Sequence, residues 1–95
     1  MKKLTFWEIR TIKNLSTKVV YNKCSHIYTF IGGKNQVTLA QFDLSMQICT
    51  VRDIGYFLHF DMKQLNELLN LMEDNIIVMG GRRGDFDAKR KERKE

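Results

Sequence analysis

Residues 26–44 read HIYTFIGGKNQVTLAQFDL, and this stretch decides the fold of the chain. Two runs rich in β-branched and aromatic residues, 26–31 and 36–44, flank the turn sequence at residues 32–35. Apolar runs on both sides of a glycine-containing loop are typical of a β-hairpin. The stretch therefore predicts two antiparallel strands in the middle of the chain.

Further strand signals lie on both sides of this hairpin. Residues 18–23 form a short β-branched run before it, and residues 46–51 and 54–60 form a second pair of apolar runs after it. Strands at this regular spacing predict an antiparallel meander of four to five strands. The apolar run 76–79 either adds a final edge strand or packs beneath a helix.

A short helix over residues 5–14 is predicted by the capping box that Thr5 and Glu8 can form. The competing interpretation is a strand, because apolar and polar residues also alternate from Trp7 to Thr11. The helix would carry a row of apolar residues at three-residue spacing, namely Phe6, Ile9, Ile12 and Leu15.

A second helix over residues 61–74 is the clearest element of the chain. Asp61 is a suitable N-cap, and Gln64 stands three residues later as its capping-box partner. We expect Asn75 to close this helix in a left-handed conformation. One face carries apolar residues at the spacing of an amphipathic helix, namely Leu65, Leu68, Leu69 and Met72.

These signals predict an α+β fold. A short N-terminal helix precedes an antiparallel sheet of four to five strands, and one C-terminal helix covers the sheet. The 95 residues provide material for one core only. Residues 1–79 are predicted to form a single globular domain, and residues 80–95 a basic, flexible and disordered tail.

The tail carries a large part of the positive charge. Its seven basic and four acidic residues leave it at +3, whereas the whole chain is at +5. With few apolar residues it cannot offset its ordering entropy by burial, so it is interpreted as an electrostatic arm. Its predicted binding residues are Arg82, Arg83, Lys89, Arg90, Lys91, Arg93 and Lys94.

Basic residues within the domain extend this prediction. Aromatic residues lie between them in the sequence, and this combination is typical of a platform on which nucleic-acid bases stack. The alternative is that these aromatic side chains form the core, as aromatic residues in strands more often do. The predicted binding residues of the domain are Lys13, Lys18, Lys23 and Lys34, and the aromatic residues among them are Trp7, Tyr21, Tyr28 and Tyr56.

No pattern in the sequence indicates catalysis, a metal or a cofactor. His26 and His59 are predicted on strands and belong to no known acid–base motif. Cys24 and His26 make at most half of a zinc site, and Cys49 has no nearby partner in sequence. The chain is therefore expected not to be an enzyme and to use no cofactor.

The location is predicted from equally simple features. Charged residues interrupt the region after Met1, so no signal peptide is predicted, and no apolar run is long enough for a membrane span. Two cysteines without a CxxC motif are typical of reduced thiols. A cytoplasmic protein without a membrane partner is expected.

Two hypotheses of function follow. The first is a small non-catalytic protein that binds nucleic acid or a nucleoprotein through the basic tail and a basic face, without base-specific readout. The alternative is a small inhibitor or adaptor, encoded by a virus or mobile element, that docks on the acidic surface of a host protein such as a nuclease and blocks it. The positive charge excludes DNA mimicry.

Overall fold

The computed structural model describes residues 2–52 and 57–80. Its elements are, in chain order, helix α1 (Phe6–Leu15), strands β1 (Ser16–Asn22), β2 (Ile27–Gly32), β3 (Val37–Asp43), β4 (Ile48–Val51) and β5 (Phe57–His59), helix α2 (Met62–Leu71), a 3-10 turn (Glu73–Asn75) and strand β6 (Ile76–Met79). The predicted α+β class is confirmed.

Within the described residues, six strands form one sheet in the order β5-β4-β3-β2-β1-β6. β1 to β5 are the predicted antiparallel meander. The run 76–79 is an edge strand, which was one of the two alternatives. It pairs with β1 in parallel, with Val19 opposite Ile76, so the sheet is mixed rather than purely antiparallel.

Both predicted helix starts are confirmed. The Thr5 hydroxyl accepts the Glu8 backbone N–H, and the Asp61 carboxylate accepts the Gln64 backbone N–H at 3.0 Å. In turn, the Glu8 and Gln64 side chains accept hydrogen bonds from the backbone N–H groups of Thr5 and Asp61. The helix interpretation of residues 5–14 is therefore correct, because the cap satisfies backbone donors that a helix start leaves unpaired.

The end of α2 differs from the prediction. The helix stops at Leu71, and Glu73–Asn75 form a 3-10 turn that leads directly into β6. Asn75 does not adopt a left-handed conformation; Met72 occupies the C-cap with φ −106° and ψ 18°. The predicted end at residue 74 was wrong, because the chain must tighten there to enter the parallel strand.

One face of the sheet packs against the helices. Leu65, Leu68 and Met72 of the predicted α2 stripe are buried, and Leu69 is partly buried against the same core. The strands contribute side chains that the register places on the same face, among them Val19, Phe30, Ala40, Phe42, Cys49 and Leu58. The opposite face, called here the outer face, has no helix over it among the described residues.

Only half of the apolar row of α1 is buried. Ile9 and Ile12 are buried, whereas Phe6 and Leu15 are exposed. Leu4 is buried just before the helix, as the partner of Ile9 in a hydrophobic staple would be. The inward face of α1 is therefore narrow, and its aromatic residues remain at the surface.

The three described hairpin turns share one backbone feature. Each of the turns 23–26, 33–36 and 44–47 ends in a non-glycine residue with positive φ, namely His26, Gln36 and Gln47. Asn22 and Asp43 precede two of these turns, and their side chains accept two backbone N–H groups each. His26 was predicted on a strand; it closes the turn instead.

Candidate functional site

The most distinctive surface of the molecule lies on α1. Phe6 is 66% exposed and Trp7 is 71% exposed, and their rings meet edge to face with centroids 5.6 Å apart. Trp7 follows the N-cap by two residues, and it lies about 200° around the helix from the buried Ile9. Two adjacent aromatic side chains that stay in water lose the favourable free energy that their burial would provide.

Cations accompany these aromatic residues. Arg10 and Lys13 are exposed on the same helix, one and two turns after Phe6. They line a groove of about 170 Å³ together with Phe6, Ile9, Asn14 and Glu67. Glu67, from α2, is the acidic residue of this groove, so the groove is basic without being uniformly so.

A larger groove of about 330 Å³ lies on the other side of α1. Its apolar residues are Ile12, Leu15, Val37, Leu39 and Val51, and its polar ones are Thr11, Lys34, Asn35 and Arg52. Leu39 stands at a β-bulge, because Phe30 pairs with Ala40 while Ile31 pairs with Thr38. We call Phe6, Trp7, Arg10, Lys13, Lys34 and Arg52, with the two grooves, the α1 surface.

The structure distributes the four predicted domain cations over different parts of the molecule. Lys13 and Lys34 line the grooves on opposite sides of α1. Lys18 pairs with Ile31 on the outer face, and Lys23 lies in the turn between β1 and β2. The six residues of β2 separate the turns that hold Lys23 and Lys34, which is roughly 20 Å of strand.

The tail cations lie outside the described residues, but the point where the tail begins is described. Gly80 follows β6 and lies against the β1–β2 turn, close to the Asn22 side chain and the backbone of Lys23 and Cys24. Lys23 therefore stands at the base of the tail. Its backbone N–H donates to the Met79 carbonyl at 2.8 Å.

The tyrosines do not form a platform on the outer face. Tyr21 and Tyr28 stack on each other at 4.3 Å, and the register with Phe42 places them on the helix-covered face. Burial is the main cause that raises the pKa of Tyr28. Tyr56 lies outside the described residues, so Trp7 is the described member of the predicted aromatic set that remains widely open to solvent.

Sequence reasoning missed two members of the α1 surface as binding residues, Phe6 and Arg52. It grouped Arg10 with the basic residues of the domain but did not assign it to binding. Phe6 was interpreted only as part of the apolar row of α1, because it stands three residues before Ile9. A helical projection could have questioned this, because Phe6 and Trp7 are adjacent and cannot both face a narrow core stripe. Arg52 could not have been found, since only the folding of the meander brings it beside α1.

The histidines and cysteines form no reactive cluster in the described structure. No group of three or more His, Cys, Asp or Glu side chains that could hold a metal ion occurs in residues 2–52 and 57–80. The His26 Nδ1 atom lies 3.3 Å from the Tyr21 hydroxyl, and His59 is exposed on β5. The described helices are also too short and too polar to cross a membrane.

Cys49 is a core side chain rather than a nucleophile. The residue is 1% exposed, and burial, assisted by the Glu8 carboxylate, raises the pKa of its thiol from 9.0 to about 12. Cys24 is exposed in the β1–β2 turn. Since only the thiolate attacks, Cys49 is inert at neutral pH.

We expect an aromatic disulfide reagent to modify one thiol quickly in the native protein at neutral pH and two in denaturant. Cys24→Ser is expected to remove the fast reaction. Between pH 9.0 and about 12 the native Cys49 thiol stays protonated, whereas the same thiol ionises in the unfolded chain. Raising the pH over this range is therefore expected to lower the free energy of unfolding. Two fast thiols in the native protein would contradict this placement of Cys49.

Comparison with known proteins adds no relative: no family model, curated protein or solved structure matches the chain. The α1 surface is therefore interpreted from its own chemistry. The fold and the α1 surface together define the class: a small α+β protein in which the described helices cover one face of the sheet. Its first helix exposes basic and aromatic side chains.

Proposed function

We propose that this chain is a non-catalytic protein that binds nucleic acid through the α1 surface and the basic tail, without base-specific readout. The observation that carries the proposal is the exposed Phe6–Trp7 pair beside Arg10 and Lys13 on one helix. Every base offers a π-face to an aromatic ring, and every nucleotide offers a phosphate to a cation. Such contacts bind a strand without reading its sequence.

The geometry favours single strands over duplexes. A base must leave its own stack before it can lie on Trp7 or Phe6, which costs little in a single strand. Arg10 follows Trp7 by three residues and Phe6 by four, so its guanidinium shares their side of the helix. An aromatic contact and a phosphate contact are thus available within one helical turn.

The tail supplies the second contact in this proposal. Residues 82–95 carry seven cations, and in a fully extended form they span up to about 50 Å. This length is sufficient to follow a strand from the base of the tail at Lys23 to the α1 surface. Phosphate contacts of this kind contribute affinity that falls as salt rises, because each contact releases counterions.

Trp7 is the only tryptophan, so its fluorescence reports directly on the proposed contact. We expect single-stranded oligonucleotides of random sequence to quench this fluorescence, with an affinity that falls steeply with salt. Duplexes are expected to quench it less. A variant without five tail cations is expected to bind all sequences more weakly and with a flatter salt dependence. That variant carries alanine at Arg82, Arg83, Lys89, Arg90 and Lys91.

The aromatic contact is tested with labelled oligonucleotides, whose anisotropy does not depend on tryptophan. Trp7→Ala is expected to weaken binding by about 5- to 150-fold, the equivalent of ~1–3 kcal/mol for one stacked base. Phe57→Ala is the matched control, because it also removes an exposed aromatic ring, 54% open, but from β5. Equal losses in both variants, or no binding at low salt, would contradict the proposal.

A second candidate is the inhibitor or adaptor that docks on an acidic protein surface. The larger groove favours it, because an apolar floor with Lys34 and Arg52 at its polar rim suits an apolar anchor flanked by acidic residues. Tryptophan and arginine are also typical of the energetic centres of protein interfaces. A complex that survives nuclease treatment, together with absent oligonucleotide binding, would favour this candidate.

A further inference from the structure

The two edges of the sheet differ sharply. At the β5 edge the N-terminal segment covers the strand: the His59 N–H donates to the Lys2 carbonyl and the Leu4 N–H donates to the His59 carbonyl, at 2.8 and 2.7 Å. At the other edge, none of the described strands pairs with the outer side of β6. β6 reads IIVM and contains neither a charge nor a proline.

The open edge presents defined backbone groups. The Met79 carbonyl accepts from Lys23 of the β1–β2 turn, so Met79 and, by strand alternation, Ile77 direct their backbone groups towards β1. Ile76 and Val78 therefore direct their N–H and C=O groups away from the sheet. An apolar edge whose backbone groups have no partner among the described strands is a template for a further strand, and proteins normally block such edges.

We propose that β6 pairs with β6 of a second copy of this chain, in antiparallel orientation, and joins the two sheets into one. The apolar side chains favour this partner. Ile77, Val78 and Met79 are 44–46% exposed, and Leu71, at the end of α2 just before the 3-10 turn, is 52% exposed. A two-fold pairing brings the same apolar groups of both copies together.

Charge complementarity selects the antiparallel orientation. Glu73 and Asp74 precede β6, whereas Lys23 lies at its other end and Arg82 and Arg83 follow in the sequence. A two-fold axis through the strand centre places the acidic end of one β6 beside the basic end of the other. A parallel pairing would align like charges at both ends. The proposal does not depend on the identity of the ligand bound at α1.

The first test is the mass in solution, measured by light scattering over a wide range of concentration. The wild-type chain is expected at twice 11.2 kDa, and Val78→Pro at one chain mass. Proline removes only the Val78 N–H, which faces away from β1, so the fold is expected to remain. Circular dichroism checks this, and Val78→Lys, which places a charge at the same edge, is the second variant.

Gln41→Lys is the matched control, because Gln41 is exposed on the outer face of β3, away from the edge. It is expected to stay dimeric. A wild-type monomer at every concentration would overturn the proposal. So would a dimer that survives both Val78 variants, or one that Gln41→Lys dissociates, since the latter would place the contact on the outer face.

Cross-linking tests the pairing directly in a Cys24→Ser chain. A two-fold axis at Ile77 or at Val78 places that residue opposite its own copy, with Cα atoms about 4.5–5.5 Å apart, which a disulfide can span. We expect either Ile77→Cys or Val78→Cys to give a disulfide-linked dimer on mild oxidation, while Gln41→Cys gives none. Failure of both β6 cysteines to cross-link would overturn the antiparallel pairing.

Discussion

Replacing Gly32 with alanine is expected to destabilise the fold by about 3 kcal/mol or more. Gly32 ends β2 and pairs with Ser16, the first residue of β1. A Cβ atom there would lie 1.9 Å from the Leu15 carbonyl oxygen and 2.8 Å from the Ser16 Cα. These are backbone atoms, so no change of rotamer can relieve the overlap.

The reason for this close approach is the junction between α1 and β1. The helix ends at Leu15 and the strand begins at the next residue, without a loop. The Leu15 carbonyl accepts the Gly33 N–H at 3.0 Å, which holds the end of the helix on the β2–β3 turn. Alanine at Gly32 must separate the two, and this would also displace the groove that contains Leu15 and Lys34.

Gly33→Ala is the matched control for this prediction. Gly33 has φ +78° but no neighbouring atom within 4 Å of an added Cβ, so its replacement costs only the left-handed conformation, about 1–2 kcal/mol. Chemical denaturation of both variants provides the comparison. It requires one fixed protein concentration, because dimerisation through β6 would make stability depend on concentration. A Gly32→Ala protein as stable as Gly33→Ala would contradict the described junction.

Leu68→Ala is expected to cost about 2–5 kcal/mol in the free energy of unfolding. The Leu68 side chain is 1% exposed, in the middle of the buried stripe of α2. Its removal leaves a cavity between the helix and the sheet, and the rigid strands beneath can collapse only in part. The loss therefore includes both the transfer of apolar atoms and the unfilled space.

Leu71→Ala serves as the control because it makes the same chemical change three residues later, on the exposed side of the helix. We expect a loss within about 0.5 kcal/mol for the monomer. Denaturant titration at low protein concentration measures both variants. Similar losses at both positions would show that α2 is rotated relative to the described structure, or that Leu71 is buried in an assembly.

Local signals explain why the helix starts and hairpins could be predicted. Thr5 with Glu8, and Asp61 with Gln64, act within four residues of chain, and their bonds form in the structure as expected. The stripe that contains Leu65 and Leu68 depends on helical periodicity alone.

Much of the candidate site was beyond such reasoning. Lys13, Lys18, Lys23 and Lys34 lie near one another in sequence, yet strand alternation places Lys18 on the outer face, and the hairpin places Lys23 and Lys34 at opposite ends of β2. Arg52 joins Lys34 only because β3 and β4 return the chain to α1. Short-range patterns carry no information about which distant strands become neighbours.

The sequence by itself determined the α+β class, the capped starts of both helices, the meander from β1 to β5 and the buried face of α2, because each depends on contacts between residues close in the chain. The tertiary structure alone decided that β6 lies parallel to β1, where Val19 meets Ile76, and that Phe6 and Trp7 face water. Both outcomes depend on competition for the same limited core. The meander, α2 and the inward side of α1 occupy this core, so the aromatic start of α1 and the outer edge of β6 remain exposed.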